Sequence, residues 1–253
     1  MFSTDKTNKW FNGFTDNFRI DGILHPMLEL KLKHSKRVSI ICCETADSLG
    51  WDEDGDRWLA HSVGLLHDVG RFPQYKIYST FFDSISVDHG DLGAEIISKE
   101  FDWKDIPDNF RENILSSVKF HNKKKIPTDM KPGAIKWSCL VRDADKIDIY
   151  RLVEERIDKG TIFEMLPRHQ VVEGLSSDLV EEIRATGSGS YCKARSLQDY
   201  RLIQLTWGCD LNFPVSVSTL KKEKIIERIR EDLRPYGIND LVDNLVNRIY
   251  SMD

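Results

Sequence analysis

The stretch LLHDVGRFPQY, residues 65–75, decides how the chain reads. An apolar, helix-forming run ends in two adjacent polar residues, His67 and Asp68, and breaks off at Gly70. In the segment DRWLAHSVGLLHD (56–68), Leu59, Val63 and Leu66 mark the inner face of a helix. His67 lies four residues beyond Val63 and shares that face. Gly70 reads as the helix stop. A buried helix has little reason to place two neighbouring polar groups where its last turn meets the core. Each one left unpaired costs about 1–3 kcal/mol.

Outward from this point the pattern stays helical, with no succession of alternating strands, so the fold class is all-α. An N-terminal helical arm spans roughly residues 5–20, with Trp10, Phe11, Phe14 and Phe18 as its apolar stripe. A longer helix follows Pro26 and runs to about Ser48. Further helices are expected over 88–101, 108–121 and 134–157, and, after a less regular stretch from Pro167, over 174–185, 197–208, 219–233 and 238–251. TGSGSY (186–191) is the most flexible-looking stretch. The expected organisation is an arm (1–24) packing on the core, a core (25–165), and a C-terminal helical extension (166–253) belonging to the same compact domain. A second subunit is the alternative resting place for the aromatic arm, which would make a homodimer.

More polar groups point inward. Met27, Leu30, His34, Val38, Ile41 and Thr45 follow steps of three and four, which places His34 on the buried stripe. His121 stands three residues past Val118 and seven past Ile114. His89 opens the helix whose apolar positions are Leu92 and Ile96. In RDADKID (142–148) a helical wheel built on Trp137, Leu140, Val141, Ala144 and Leu152 puts Asp148 near the apolar centre, Asp145 at its edge and Asp143 well off it. Asp148 therefore needs a buried partner. Any one of these is ordinarily a satisfied core histidine or a helix cap. Four of the chain's seven histidines facing inward from four helices, joined by two aspartates, is a different matter, and coordination of metal ions removes the burial cost of all of them at once. His25, His61 and His169 lack the pattern and read as structural.

Composition narrows the class further. The net charge of −5 over 253 residues argues against a protein that coats a nucleic-acid polymer. No apolar run is long enough to span a bilayer, the first residues lack a secretory layout, and the five cysteines show no CxxC spacing. They read as reduced thiols in a cytoplasmic protein.

The order of LKHSKRV, LLHDVGRF, VDHGDLGA, VKFHNKK and VRDADKID, over about residues 25–157, resembles the HD-domain superfamily, an all-helical family of mostly metal-dependent phosphohydrolases. The resemblance implies an HD-domain helical bundle with additional C-terminal helices. It implies one or two divalent transition-metal ions (Fe, Mn, Zn, Co or Ni), the first held by His34, His67, Asp68 and Asp145, the second by His89 and His121 with Asp68 bridging. It further implies hydrolysis of a phosphomonoester or phosphodiester in a nucleotide or other small phosphate ester, by a metal-activated hydroxide. His67 and Asp68 would be catalytic, with Lys146 and Arg71 holding phosphate. Arg142 and Lys123 to Lys125 are weaker candidates for that role, the lysine run reading first as a solvated helix end. Asp148 would orient a ligand histidine. Because there is no GYP tripeptide, the cyclic-dinucleotide phosphodiesterase branch is not indicated. Two other classes stand beside this one: a di-iron oxygenase of the same fold, which uses the same ligand pattern, and a non-catalytic HD module that binds a nucleotide or a partner protein, a class that usually loses one or more of the ligands.

Overall fold

Helices begin where a side chain can accept one of the amides that the first turn leaves unpaired. The computed structural model describes residues 2–166 and 173–252, the side chain of Met165 excepted; Pro167 and His169 lie outside the described residues. Ser3 Oγ accepts from the Asp5 amide at 3.1 Å and opens α1 (Thr4–Asp16). His25 Nδ1 accepts from the Met27 amide at 3.2 Å, with Pro26 at the first helical position, and opens α2 (Pro26–Ser48). Next come α3 (Asp56–Leu66) and α4 (Arg71–Tyr78). The Asp88 carboxylate caps α5 (His89–Glu100) through the Asp91 amide at 3.0 Å. Then follow α6 (Asp108–Phe120) and α7 (Pro132–Asp158). Among the described residues there is no strand, only an isolated bridge between Ile20 and Ile23. The fold class is all-α, as expected, and no described helix is long and apolar enough to cross a membrane.

The chain forms two compact units, Met1–Asp148 and Ile149–Asp253. The boundary between them falls within α7. In the first unit α3 is the central element, packed against α1, α2 and α6, while α5 pairs with α6. Trp58, Leu59, Val63, Leu65 and Leu66 are all buried, so α3 is enclosed on most sides, with Arg57 in its first turn exposed. The aromatic stripe of α1 closes on this unit, with Phe11, Phe14 and Phe18 all packed on the Phe72 ring. His61 is a structural brace between Ser39 Oγ (2.8 Å) and Asn8 Oδ1 (3.1 Å).

Two glycines allow the close approaches that build the centre of this unit. At Gly64 a Cβ would lie 2.6 Å from Ser39 Cα, so α2 and α3 cross in near backbone contact. At Gly70 a Cβ would lie 2.1 Å from the His89 carbonyl oxygen. Gly70 reads in the sequence as the helix stop, but α3 ends four residues earlier and the φ of Gly70 is −63°, on the side open to any residue. Its role is steric: it lets the start of α5 press against the turn at 67–70. α3 itself ends at Leu66, and α4 begins at Arg71.

Other expectations shift by a residue or a turn. Met27 is exposed, and the first turns of α2 bury Leu28 and Leu32 instead. The buried row of α5 is His89, Gly93 and Ile97, not Leu92 and Ile96. Asp143 is fully buried, because α7 is covered well beyond the face picked out by the wheel.

The second unit holds α8 (Ile162–Met165), α9 (Ser177–Thr186), α10 (Leu197–Gly208), α11 (Pro214–Lys222), α12 (Ile225–Leu233) and α13 (Asn239–Tyr250). α10 packs on α12 and α13 through buried Leu202, Leu205, Ile226, Ile229 and Ile249. The single helix expected over 219–233 is broken between α11 and α12, where Lys224 takes the left-handed conformation (φ 57°). TGSGSY is held down: Ser190 Oγ donates to Glu182 at 2.5 Å, and Gly189 sits against Ile203, Ile183 and Leu179. Tyr150 and Tyr200 are core residues here.

If the α2–α3 crossing depends on the missing Cβ, Gly64→Ala will destabilise the protein by about 1–3 kcal/mol. Gly13→Ala, in α1 with nothing within 4 Å, will instead stabilise it by about 0.5–1 kcal/mol. Urea denaturation of the two variants checks the difference in sign.

Candidate metal centre

Asp68 stands in the turn after α3, and its carboxylate divides the surrounding groups into two sets. Oδ2 faces His34 Nε2 and His67 Nε2, each at 3.6 Å. Oδ1 faces His89 Nε2 at 3.4 Å and His121 Nε2 at 3.7 Å. Within the sets the imidazole nitrogens approach to 3.2 Å (His34 and His67) and 3.0 Å (His89 and His121). Asp145 Oδ1 completes the first set, 3.0 Å from His34 Nε2 and 3.8 Å from His67 Nε2. All six residues singled out in the sequence thus converge, from α2, α6 and α7 and from both ends of the tight approach at Gly70.

Every histidine of the cluster has its other ring nitrogen committed. His67 Nδ1 donates to the Gly64 carbonyl at 2.8 Å and His121 Nδ1 to the Val118 carbonyl at 2.7 Å. His34 Nδ1 donates to Asp148 and His89 Nδ1 to Asp83, both at 2.7 Å. A carbonyl can only accept, so His67 and His121 carry their proton on Nδ1 and turn the Nε2 lone pair toward Asp68. Burial keeps His67 and His89 from taking a second proton: the His67 value is pushed down to about 3, and that of His89 to about 4 despite the opposing pull of Asp83. At His34, burial and Lys31 press the value down, but the hydrogen bonds to Asp145 and Asp148 outweigh them and it rises. Burial works against the charge of Asp68, yet Lys31 and His67 hold its carboxyl well below the usual range.

Bare nitrogen lone pairs facing each other near 3 Å repel unless a cation lies between them. The donors here are imidazole nitrogen and carboxylate oxygen, which suit a divalent transition metal. An ion about 2.1 Å from each ligand separates neighbouring ligands by roughly 3.0–3.4 Å in octahedral or tetrahedral geometry. The distances within each set lie in or close to that range, so the residues fit the group. His34, His67 and Asp68 form one set able to hold a metal, and Asp68, His89 and His121 another.

Several supporting residues were not visible in the sequence. His34 is the buried partner that Asp148 requires, and the half-exposed Arg37 grips the same carboxylate with two hydrogen bonds, at 2.6 and 2.8 Å. Asp83 accepts from His89, from Arg71 at 3.0 Å, from Gln74 at 2.8 Å and from Asn122 at 3.1 Å. Lys31 places its ammonium 2.8 Å from Asp68 Oδ2. The one signal that could have found Lys31 and Arg37 is their spacing, each three residues from His34 on α2 and so on its side of the helix. Asp83 lies in an irregular stretch with no periodicity to reveal it.

The cations expected to meet phosphate separate. Arg71 stands in the cluster, 3.4 Å from Asp68 Oδ1. Lys146 is half-buried beside Asp145 on α7. Arg142 is drawn away: its guanidinium donates to the carbonyls of Phe120, His121 and Lys123 at the end of α6. Lys123 pairs with Asp88 and Asp91.

The lowered histidines set a pH dependence. His67 and His89 titrate near 6.5 when unfolded and at about 3 and 4 when folded, so between those limits the unfolded chain binds the extra protons. Metal-free protein will lose stability as the pH falls from about 6.5 toward 4, by up to about 1.4 kcal/mol per pH unit for each histidine. His34, whose value is raised, contributes stability that is complete below about 6.5 and is lost only as the pH rises above it, outside this window. Urea midpoints at pH 7, 5.5 and 4.5 measure the effect, and a flat profile contradicts it.

A family model for the HD domain matches residues 32–160, just over half of the chain. No significant match was found to a curated protein or to a solved structure. The matched span runs from two residues before His34 past Asp145 and covers every member of the cluster. The chain belongs to the HD-domain family, whose members are in general metal-dependent hydrolases.

Proposed function

We propose that this protein is a metal-dependent phosphohydrolase acting on a nucleotide or another small phosphate ester. The observation that carries the reading is the shared carboxylate, Asp68, with one oxygen turned to His34 and His67 and the other to His89 and His121. In this reading His34, His67, Asp68 and Asp145 hold one ion, and His89 and His121 hold a second with Asp68 spanning both. Divalent ions bound there would make a water acidic enough to attack near neutral pH and would balance charge on the phosphoryl oxygens.

The rest is the work of the protein's own residues. Asp148, fixed by Arg37, keeps the His34 proton on Nδ1 and its Nε2 toward the centre. Asp83 does the same for His89 and tethers Arg71 through the same carboxylate, which joins the ligand shell to a substrate-facing cation. Arg71 and Lys146 meet the phosphate. The partner is a small phosphate ester rather than a nucleic-acid polymer, in keeping with the net charge of −5.

Elemental analysis of the purified protein will find at least one transition-metal ion per chain, and the loaded protein will release phosphate or nucleoside from members of a nucleotide and phosphate-ester panel. His67→Ala and Asp68→Ala will abolish both metal retention and turnover. Asp148→Asn will keep the fold and lower metal affinity by about 10–100-fold. A metal-replete wild-type protein that hydrolyses nothing in such a panel sinks the reading, as does bound iron with oxygen consumption in place of hydrolysis.

A further inference from the structure

The ligands of the centre are closed off on most sides. The His34, His67, His89 and His121 side chains are at most 4% exposed and Asp68 is 3% exposed. Of the side chains with a charged atom within 4 Å of Asp68 or of the ring Nε2 atoms, three reach solvent: Asp145 at 23%, and Lys31 and Arg71 at 16% each; Asp83 and Arg37 reach it behind His89 and Asp148. The accessible edge is therefore bounded by one ligand and two cations.

Those cations flank the same carboxylate. Lys31 Nζ is 2.8 Å from Asp68 Oδ2, and Arg71 Nε is 3.4 Å from Oδ1. Both rest against the ring of Phe81, with Nζ 5.5 Å and the guanidinium carbon 5.8 Å from its centroid, so one aromatic side chain backs the two charges. Arg71 is anchored through Nη1, which donates to the Phe81 carbonyl, Gln74 Oε1 and Asp83 Oδ1. Its Nε is buried and makes no hydrogen bond. An ammonium carries three donors, and Asp68 takes one of those on Lys31. At the accessible edge Lys31 thus presents N–H groups beyond the one that the fold consumes, with the rest of the Arg71 guanidinium beside it.

We propose that Lys31, together with Arg71, is an anion clamp that selects a phosphomonoester dianion over a phosphodiester. The inference rests on the phosphohydrolase reading and names its substrate class. A terminal phosphate brings three non-bridging oxygens and two charges, enough to serve the metal centre and both cations. A diester brings two such oxygens and one charge, and leaves a partly buried cationic donor unmatched. A site built to bond a group discriminates strongly against an analogue that lacks it. Lys31 is a substrate-binding residue in this scheme and takes no part in holding the metal.

The test is calorimetric binding to the full-length, Mn²⁺-loaded protein at pH 7.5, with inorganic phosphate, methyl phosphate and dimethyl phosphate as probes and metal content measured in parallel. Wild-type protein will bind phosphate and methyl phosphate at least about tenfold more tightly than dimethyl phosphate. Lys31→Gln will keep its metal, lose about tenfold in phosphate affinity and narrow the gap between the two esters, while Lys31→Arg will restore most of the loss. The clamp is overturned if Lys31→Gln binds phosphate like wild type, if dimethyl phosphate binds as well as methyl phosphate, if the wild type binds no phosphate, or if Lys31→Gln loses its metal. Failure of the underlying reading looks different: wild-type protein that binds phosphate in the expected order yet cleaves no ester removes the hydrolase and leaves the clamp standing.

Discussion

The first unit is organised around one carboxylate, Asp68, ringed by four imidazole nitrogens whose lone pairs all point toward it. Such an arrangement is held only if each ring is pinned from behind, because ring nitrogens at 3.0–3.2 Å would otherwise turn away from one another. The pinning is distributed. Two rings use the carbonyl of a helix turn, at Gly64 and Val118, and two use a carboxylate, Asp148 or Asp83. The carboxylates need their own counterions, which brings in Arg37 and Arg71. Support thus spreads outward in shells, each forced by the need to satisfy the charge or donor inside it.

Backbone packing serves the same end. His89 reaches Asp68 because α5 begins in contact with the turn that carries Asp68, and that contact exists because Gly70 has no Cβ. His34 reaches His67 across a crossing of α2 and α3 that requires Gly64. The bulky core residues around these points, Val38, Val63, Leu66 and Val118, are fully buried and fix the helices from which the ligands project. Precision at the centre is inherited from the apolar packing beneath it.

Burial decides the electrostatics. It keeps His67 and His89 neutral over the physiological range, while nearby cations and histidines keep Asp68, Asp145 and Asp148 ionised. Neutral nitrogen and charged oxygen are the protonation states that metal binding demands. The groups left at the accessible edge, Lys31 and Arg71, are cationic, which biases that edge toward anions.

The sequence by itself determined the helical class, and the order of its HD-like motifs singled out the six residues that converge. Helical periodicity reports which side chains face a core, and His34, His67, His89, His121 and Asp145 all sit on or beside that face. It also showed that Asp148 needed a partner. The tertiary structure alone decided who that partner is, that Asp83 anchors His89, and that Gly70 serves an interhelical contact rather than a helix end. Asp83 is six residues from His89 in a stretch without periodicity, and Arg37 meets Asp148 across 111 residues of chain. A one-dimensional pattern specifies the face of a helix, but neither the neighbour that face will meet nor the distance at which they meet. Those follow from how closely two backbones can approach, which is set by three-dimensional packing.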